Sequence, residues 1–283
     1  MLELNLFREN PDLIKKNQER RGADPKLVDE VISSYKIDKI VHLAAIAGIF
    51  TVTKSPVDTF SVIFHGAENI MKASVKNNVD KVVIASTSEV YGDMTFDATE
   101  DSYTRQGSIE QSRWIYAISK LAADHLAAAY NRQHGLNVTS VRFFNVYGPG
   151  QIGEGAISIF LRKAIKNEDI TIFNDGIQVR AWCYIDDMVK CLSDTLDTTH
   201  DLAGKAVNIG NPSTGISVYE LARLVVDVVK SKSKIVCNND VEMTDVYVRV
   251  PNIDRARNIL GFNPKIGLRE GIKRTMEWMI NNE

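Results

Sequence analysis

Three cysteines among 283 residues, none in a C-x-x-C spacing, leave neither a zinc framework nor a disulfide scaffold. Cys183, Cys191 and Cys237 suit a reducing compartment, so a cytoplasmic protein with no resident metal is expected. An excess of either charge is equally lacking. The 34 Lys and Arg against 36 Asp and Glu give a formal charge of -2, with no electrostatic footprint for nucleic acid or an anionic membrane. No apolar run reaches spanning length; the longest, over residues 40–50, is interrupted by His42. The N-terminus has no basic-then-apolar signal pattern. There is also no low-complexity segment, no Pro- or Gly-rich linker and no internal repeat.

What is present is an alternation of two periods. Asn10-Pro11 starts a short helix that Gly22 stops, and Asp24-Pro25 starts another through Val31. Residues 39–45 and 81–86 are short apolar runs of the buried-strand kind, and residues 57–75 have helical spacing between them. A loop is expected from there to about Arg113. A long Ala-rich helix over 116–133 follows, closed by Gly135, and then a third strand over 137–145. The second half continues with helices over 157–167, 184–196, 217–229, 253–260 and 268–280, and strands over 170–173 and 206–209. Strands alternating with helices predict an α/β fold with a mainly parallel sheet, whose chemistry sits at the carboxyl ends of the strands.

Three features fall at such places. Ser86-Thr87-Ser88-Glu89-Val-Tyr91-Gly92 directly follows a strand, and its hydroxyls and carboxylate can bind a substrate hydroxyl and take its proton. Tyr116-Ala-Ile-Ser-Lys120 sets a phenol and an ammonium one helical turn apart. A lysine so placed favours the phenolate and is expected to lower the tyrosine pKa. The core stripe of that helix should be Ile118, Leu121, Ala122, Leu126 and Ala129, with Tyr116 and Lys120 pointing away from it. Finally, Arg180 follows a turn and can clamp a phosphate or carboxylate. Each alone is weak: hydroxyls cap turns, Tyr–Lys pairs occur on solvated helices, and a lone arginine is usually an ion-pair partner.

In this order, together with His42-Leu-Ala-Ala45, Arg142-Phe-Phe-Asn145-Val-Tyr-Gly-Pro149, Asp245-Val-Tyr-Val-Arg249 and Leu260-Gly-Phe-Asn-Pro264, they resemble the extended short-chain dehydrogenase/reductases, specifically the NAD-dependent nucleotide-sugar epimerases, dehydratases and decarboxylases. The resemblance covers about residues 36–283. It implies Thr87, Tyr116 and Lys120 as catalytic trio, with Ser88 and Glu89 beside them. Asn145, Arg180 and Arg249 are implied as substrate contacts, and Ala44, Ala45, Ser86, Tyr116 and Lys120 as contacts to NAD. Tyr116 would take the sugar O4 proton while hydride passes from C4 to NAD. The 4-keto intermediate is then re-reduced on its other face, decarboxylated at C5 or dehydrated. Thr87-Ser88-Glu89 and Arg113-Trp-Ile-Tyr116 are similar to UDP-glucuronate decarboxylases, whereas general similarity favours epimerases; both outcomes stay open.

The family's G-x-x-G-x-x-G fingerprint, due roughly 55–65 residues before His42, is lacking. Gly148-Pro-Gly150-Gln-Ile-Gly153 has a G-x-G-x-x-G spacing, but Pro149 removes a donor where the pyrophosphate needs one, and in the family this loop faces the sugar nucleotide. Ile63 stands where the family usually has Asn, three residues before Gly66. Residues 1–32 instead resemble the opening of seryl-tRNA synthetases; with six Lys/Arg against seven Asp/Glu they make a poor phosphate surface. The expected architecture is thus a partial, N-terminally truncated Rossmann-like parallel sheet with a smaller C-terminal α/β substrate subdomain. Its expected division is a helical leader 1–32, a dinucleotide-domain remnant 33–150 and 176–200, and a substrate part 151–175 and 201–283. The exposed strand edge this leaves at residues 40–45 suggests a homo-oligomer, or leader helices covering the edge. The partner is a nucleoside-diphosphate sugar; the alternative is an inactive relic that binds such a sugar, or a partner chain, without turnover.

Overall fold

The computed structural model describes residues 25–238 and 246–282. The expected helix start at Asn10-Pro11, the stop at Gly22 and Asp245 lie outside them. In chain order the elements begin with α1 (Pro25–Tyr35), β1 (Lys39–His42), α2 (Ile49–Lys54), α3 (Pro56–Phe60), a π-helical turn (Ser61–His65) and α4 (Gly66–Lys76). Next come β2 (Lys81–Thr87), a 3-10 turn (Ser88–Tyr91), β3 (Met94–Ala98), α5 (Trp114–His134), β4 (Val138–Phe143), β5 (Val146–Tyr147), α6 (Ala156–Ile165) and β6 (Ile170–Phe173). The rest are β7 (Val179–Arg180), β8 (Cys183–Tyr184), α7 (Ile185–Asp197), β9 (Ala206–Ile209), β10 (Ile216–Ser217), α8 (Val218–Val229), β11 (Ile235–Asn238), β12 (Val248–Pro251), α9 (Asp254–Leu260) and α10 (Leu268–Asn282).

The main sheet is parallel, in the order β1-β2-β4-β9. Strand alternation divides its side chains between two faces. Val82, Ile84 and Val138 join Ala67, Met71, Ala123 and Ala127 under α4 and α5. Val83, Val141 and Val207 join Cys191, Ile253 and Ala256 under α7 and α9. Burial on both faces is why these strands read as unbroken apolar runs. A second core, including Ile157, Leu161, Ile170, Leu221 and Ile272, supports the substrate-side elements. Gly135, at φ 69, closes α5, and Ser217 caps α8 by accepting the Glu220 N–H at 3.1 Å, both as expected.

Several expectations change. The helix read over 57–75 is interrupted: Pro56 opens α3, and the π turn intervenes before α4. The loop expected before Arg113 contains β3, which pairs with β12 more than 150 residues away and so left no local signal. The boundary expected at 32/33 falls inside α1, whose buried Ile32 joins the α4 core. β9, assigned by the expected division to the substrate part, is the fourth strand of the main sheet. Among the described residues β1 pairs with β2 alone, and α1 packs on α4 rather than across that edge. No described helix is long and apolar enough to cross a membrane.

The face of α5 is also not the one the larger apolar residues suggest. Ala117, Ser119, Lys120, Ala123, Asp124 and Ala127 are buried, while Ile118, Leu121, Ala122, Leu126 and Ala129 are only half-buried. Alanines let the helix approach the sheet closely, and polar groups at the strand ends give Lys120 and Asp124 partners there.

Candidate active site

β2 ends where Thr87 caps the 3-10 turn, its Oγ1 accepting the Glu89 N–H at 3.3 Å. Of the three hydroxyls, that of Thr87 lies beside the Tyr116 phenol on α5 and acts to lower its pKa. Ser86 instead turns inward and donates to Asp124 Oδ2 at 2.9 Å, and Ser88 is buried in the turn. The Ser86 hydroxyl therefore serves the framework beneath the site.

Lys120 does not act on Tyr116 as the spacing suggested. Its Nζ donates to the Ala85 carbonyl at 2.7 Å. Burial brings the ammonium down to about 8, opposed by the charge of Asp124. The Tyr116 phenol is pushed up, not down: burial dominates, the Glu89 charge adds to it, and the Thr87 hydrogen bond and Arg249 oppose.

Glu89 lies between two arginines. Arg249 Nη1 is 3.4 Å from Oε1 and Arg113 Nη2 is 3.9 Å from Oε2. Arg113, buried, also lies 5.0 Å over the Trp114 ring. Arg249 is 7% exposed, and its Nε and Nη2 are buried without a hydrogen-bond partner. Register pairs Arg249 with Arg180 on β7, so the two guanidinium side chains rise from neighbouring strands on one face. Arg180 Nη1 donates to the Val179 carbonyl at 3.0 Å. A buried guanidinium with unmet N–H groups, as Arg249 has here, is the chemistry of an anion site.

Asn145 sits at φ 40, and its Nδ2 donates to the Ala181 carbonyl at 2.8 Å. It ties the end of β4 to the strand pair carrying Arg180. Ala44 is exposed and Ala45 half-buried on the loop after β1. That loop bends at Gly48, at φ +103, where a Cβ would come within 2.8 Å of the Glu154 carboxylate. Glu154 accepts the Phe50 and Thr51 N–H groups at 2.9 and 3.1 Å and the Thr51 hydroxyl at 2.9 Å. The 148–155 loop, with its G-x-G-x-x-G spacing, thus fastens two loops together. Asp124 and Glu154 were not singled out from the sequence, and His42 and Arg113 entered only as members of matching motifs, with no role given to their side chains. Only Asp124, one turn after Lys120, had a local cue.

The residues present fit the nicotinamide end of a dinucleotide. Lys120 keeps two ammonium hydrogens after bonding Ala85, and Tyr116, Thr87 and the Ala44-Ala45 loop share the same end of the sheet. Among the described residues no glycine turn joins a main-sheet strand to a helix ahead of β1.

A three-layer parallel α/β fold with a Thr–Tyr–Lys set at its strand ends defines a dinucleotide-dependent enzyme class. Residues 8–210 match the NAD dependent epimerase/dehydratase family, and the chain belongs to that family. Over 266 residues the chain is 33% identical to a UDP-N-acetyl-alpha-D-glucosaminuronate decarboxylase of Bacillus cytotoxicus, covering 90% of this chain and 80% of that protein. It is 29% identical over 252 residues to a UDP-glucuronate 4-epimerase of Thermodesulfobacterium geofontis, covering 89% and 75%. The crystal structure of a Thermotoga maritima UDP-glucose 4-epimerase with UDP-glucose superposes with a TM-score of 0.83 at 27% identity, covering 91% and 82%. The extended dehydrogenase/reductase fold and the UDP-sugar epimerase/decarboxylase type expected from the sequence both stand. These similarities give no support to the inactive alternative.

Proposed function

We propose that this protein converts a UDP-linked uronic acid through a 4-keto intermediate and releases the C6 carboxylate as carbon dioxide. The observation that carries this is the Arg113–Glu89–Arg249 cluster beside Tyr116, with two buried Arg249 donors unmet. A hydroxymethyl oxygen could accept from those donors but brings no charge and only one atom, whereas a sugar carboxylate meets both in a charge-assisted, bidentate way.

Tyr116, beside Thr87, takes the O4 proton as its phenolate, a form that burial disfavours and that the positive nicotinamide would favour when NAD is bound. Lys120, charged below pH about 8, stands one turn away. NAD, when bound, supplies the acceptor for the C4 hydride and returns it later. With a ketone at C4, the carboxylate on C5 is β to a carbonyl. Breaking the C5–C6 bond releases carbon dioxide and sends its electron pair onto O4, where the Tyr116 hydroxyl stabilises the enolate by hydrogen bonding; a proton delivered from water to C5 then restores the C4 ketone, which the returned hydride reduces. Arg249 and Arg113 orient the carboxylate, and Glu89 keeps both guanidinium groups in place. Arg180 and Asn145 are the candidate contacts to the diphosphate.

The test is proton NMR of UDP-glucuronate and UDP-glucose, each incubated with the protein and NAD. We expect a UDP-pentose from the first and no change in the second. UDP-galacturonate as sole product would replace decarboxylation by epimerisation, and conversion of UDP-glucose would overturn the uronate reading.

A further inference from the structure

A second polar layer lies beneath the proposed reaction site. His42 pairs in register with Ile84, which belongs to the core under α4 and α5, and Ser86 pairs with Arg142. Strand alternation therefore turns His42, Ser86 and Arg142 to the face covered by α4 and α5, from which α5 answers with Lys120 and Asp124. Most bonds of this layer are closed. Asp124 Oδ2 accepts Ser86 Oγ at 2.9 Å and Arg142 Nε at 3.0 Å, and Lys120 donates to Ala85. Two atoms stand out: His42 Nε2 and Asp124 Oδ1 are buried with no hydrogen-bond partner. Both residues act electrostatically on or under Lys120, which has two further N–H groups to give.

Unmet buried atoms of this kind are commonly joined by an ordered water making two to four bonds. On the α4 side Nε2 meets Gly66, where a Cβ would stand 3.4 Å away, so the glycine itself brings no polar side chain against it. The other charged or titratable groups facing the layer are Arg142 and Tyr91, themselves bonded to each other at 2.8 Å.

We propose that His42 is a positioning residue for Lys120: its Nε2 accepts a hydrogen bond from the Lys120 ammonium through one buried water shared with Asp124 Oδ1. The imidazole is suited to this because it stays neutral. Burial first, and the Lys120 charge second, hold it down to about 4. Its consequence for catalysis rests on the reading above, but its first test needs neither substrate nor turnover.

That test is nitrogen-15 NMR of the five histidine side chains in the full chain, with His42→Asn assigning the signal. We expect a neutral ring protonated on Nδ1, unchanged from pH 8 to about pH 5, whose Nε2 resonance and pKa move upon Lys120→Met, the pKa rising. Titration near pH 6.5, an Nε2-protonated ring, or a signal indifferent to Lys120→Met would overturn the proposal. In turnover, the pH limb set by Lys120 should fall by about one unit in His42→Leu, the size of one charge-assisted hydrogen bond, and return in His42→Gln. An activity loss with that limb unmoved assigns His42 to packing and also overturns it. Failure to turn over UDP-glucuronate would count against the proposed function and leave the NMR result to decide this one.

Discussion

Arg142 and Arg249 are both buried charges, held in opposite ways. Arg142 gives Nε to Asp124 at 3.0 Å and Nη1 to the Tyr91 hydroxyl at 2.8 Å and the Glu100 carbonyl at 3.2 Å. Tyr91 passes its proton on to Asn208 Oδ1 at 2.8 Å, and the Asn208 N–H reaches Glu100 Oε1 at 2.8 Å. Arg249 has a single long contact to Glu89 and two donors with no partner. A satisfied network fixes the relative positions of β2, β4, α5 and β9. An unsatisfied one a few residues away stores recognition, because a ligand supplies what the protein withholds.

The contrast can be broken from either side. Arg142→Met strands Asp124 in the core and should cost about 3–5 kcal/mol in denaturant unfolding. Arg249→Met should leave stability within about 1 kcal/mol, since it removes unmet donors. It should nevertheless lower kcat/KM on UDP-glucuronate by about a hundredfold or more. Equal destabilisation by both variants would erase the distinction. Tyr116→Phe should reduce kcat by about 10²–10⁴-fold with stability unchanged, as expected for a proton-transferring hydroxyl.

Acid sharpens the comparison further. The unfolded His42 imidazole takes its proton near pH 6.5 and the folded one only near about 4, so the unfolded state binds more protons in between. Stability should therefore be full above pH 6.5 and fall by up to roughly 3 kcal/mol as pH drops toward 4, an effect His42→Gln removes. The smallest effect belongs to Glu154→Gln. Weakening its hold on the Phe50 and Thr51 N–H groups should cost about 1 kcal/mol and change KM more than kcat.

The main-sheet strands and the long helix were legible because each depends on local period, while the Thr87–Tyr116–Lys120 set came from the family resemblance. Lys120's orientation was not legible. Counting large apolar residues pointed to the Ile118–Leu121 side, whereas small alanines set the approach of α5, and Ala85 and Asp124 draw the lysine inward. The cluster around Glu89 was visible only in parts. Arg249 lies 160 residues from Glu89 and reaches it because β12 is flanked by β7 and β3, pairings between strands with no shared local signal. The partner of the Ser86 hydroxyl was hidden for a related reason: alternation along β2 sends it under α5 while Thr87 faces the site.

The account turns on Arg249 reading a sugar carboxylate, and calorimetric binding of UDP-glucuronate and UDP-glucose to the native chain and to Arg249→Met tests it without turnover. The native protein should prefer UDP-glucuronate by about tenfold or more, the worth of one charge-assisted pair, and the variant should bind both alike. Equal affinity of the native protein for the two sugars, or a preference that survives Arg249→Met, would contradict it.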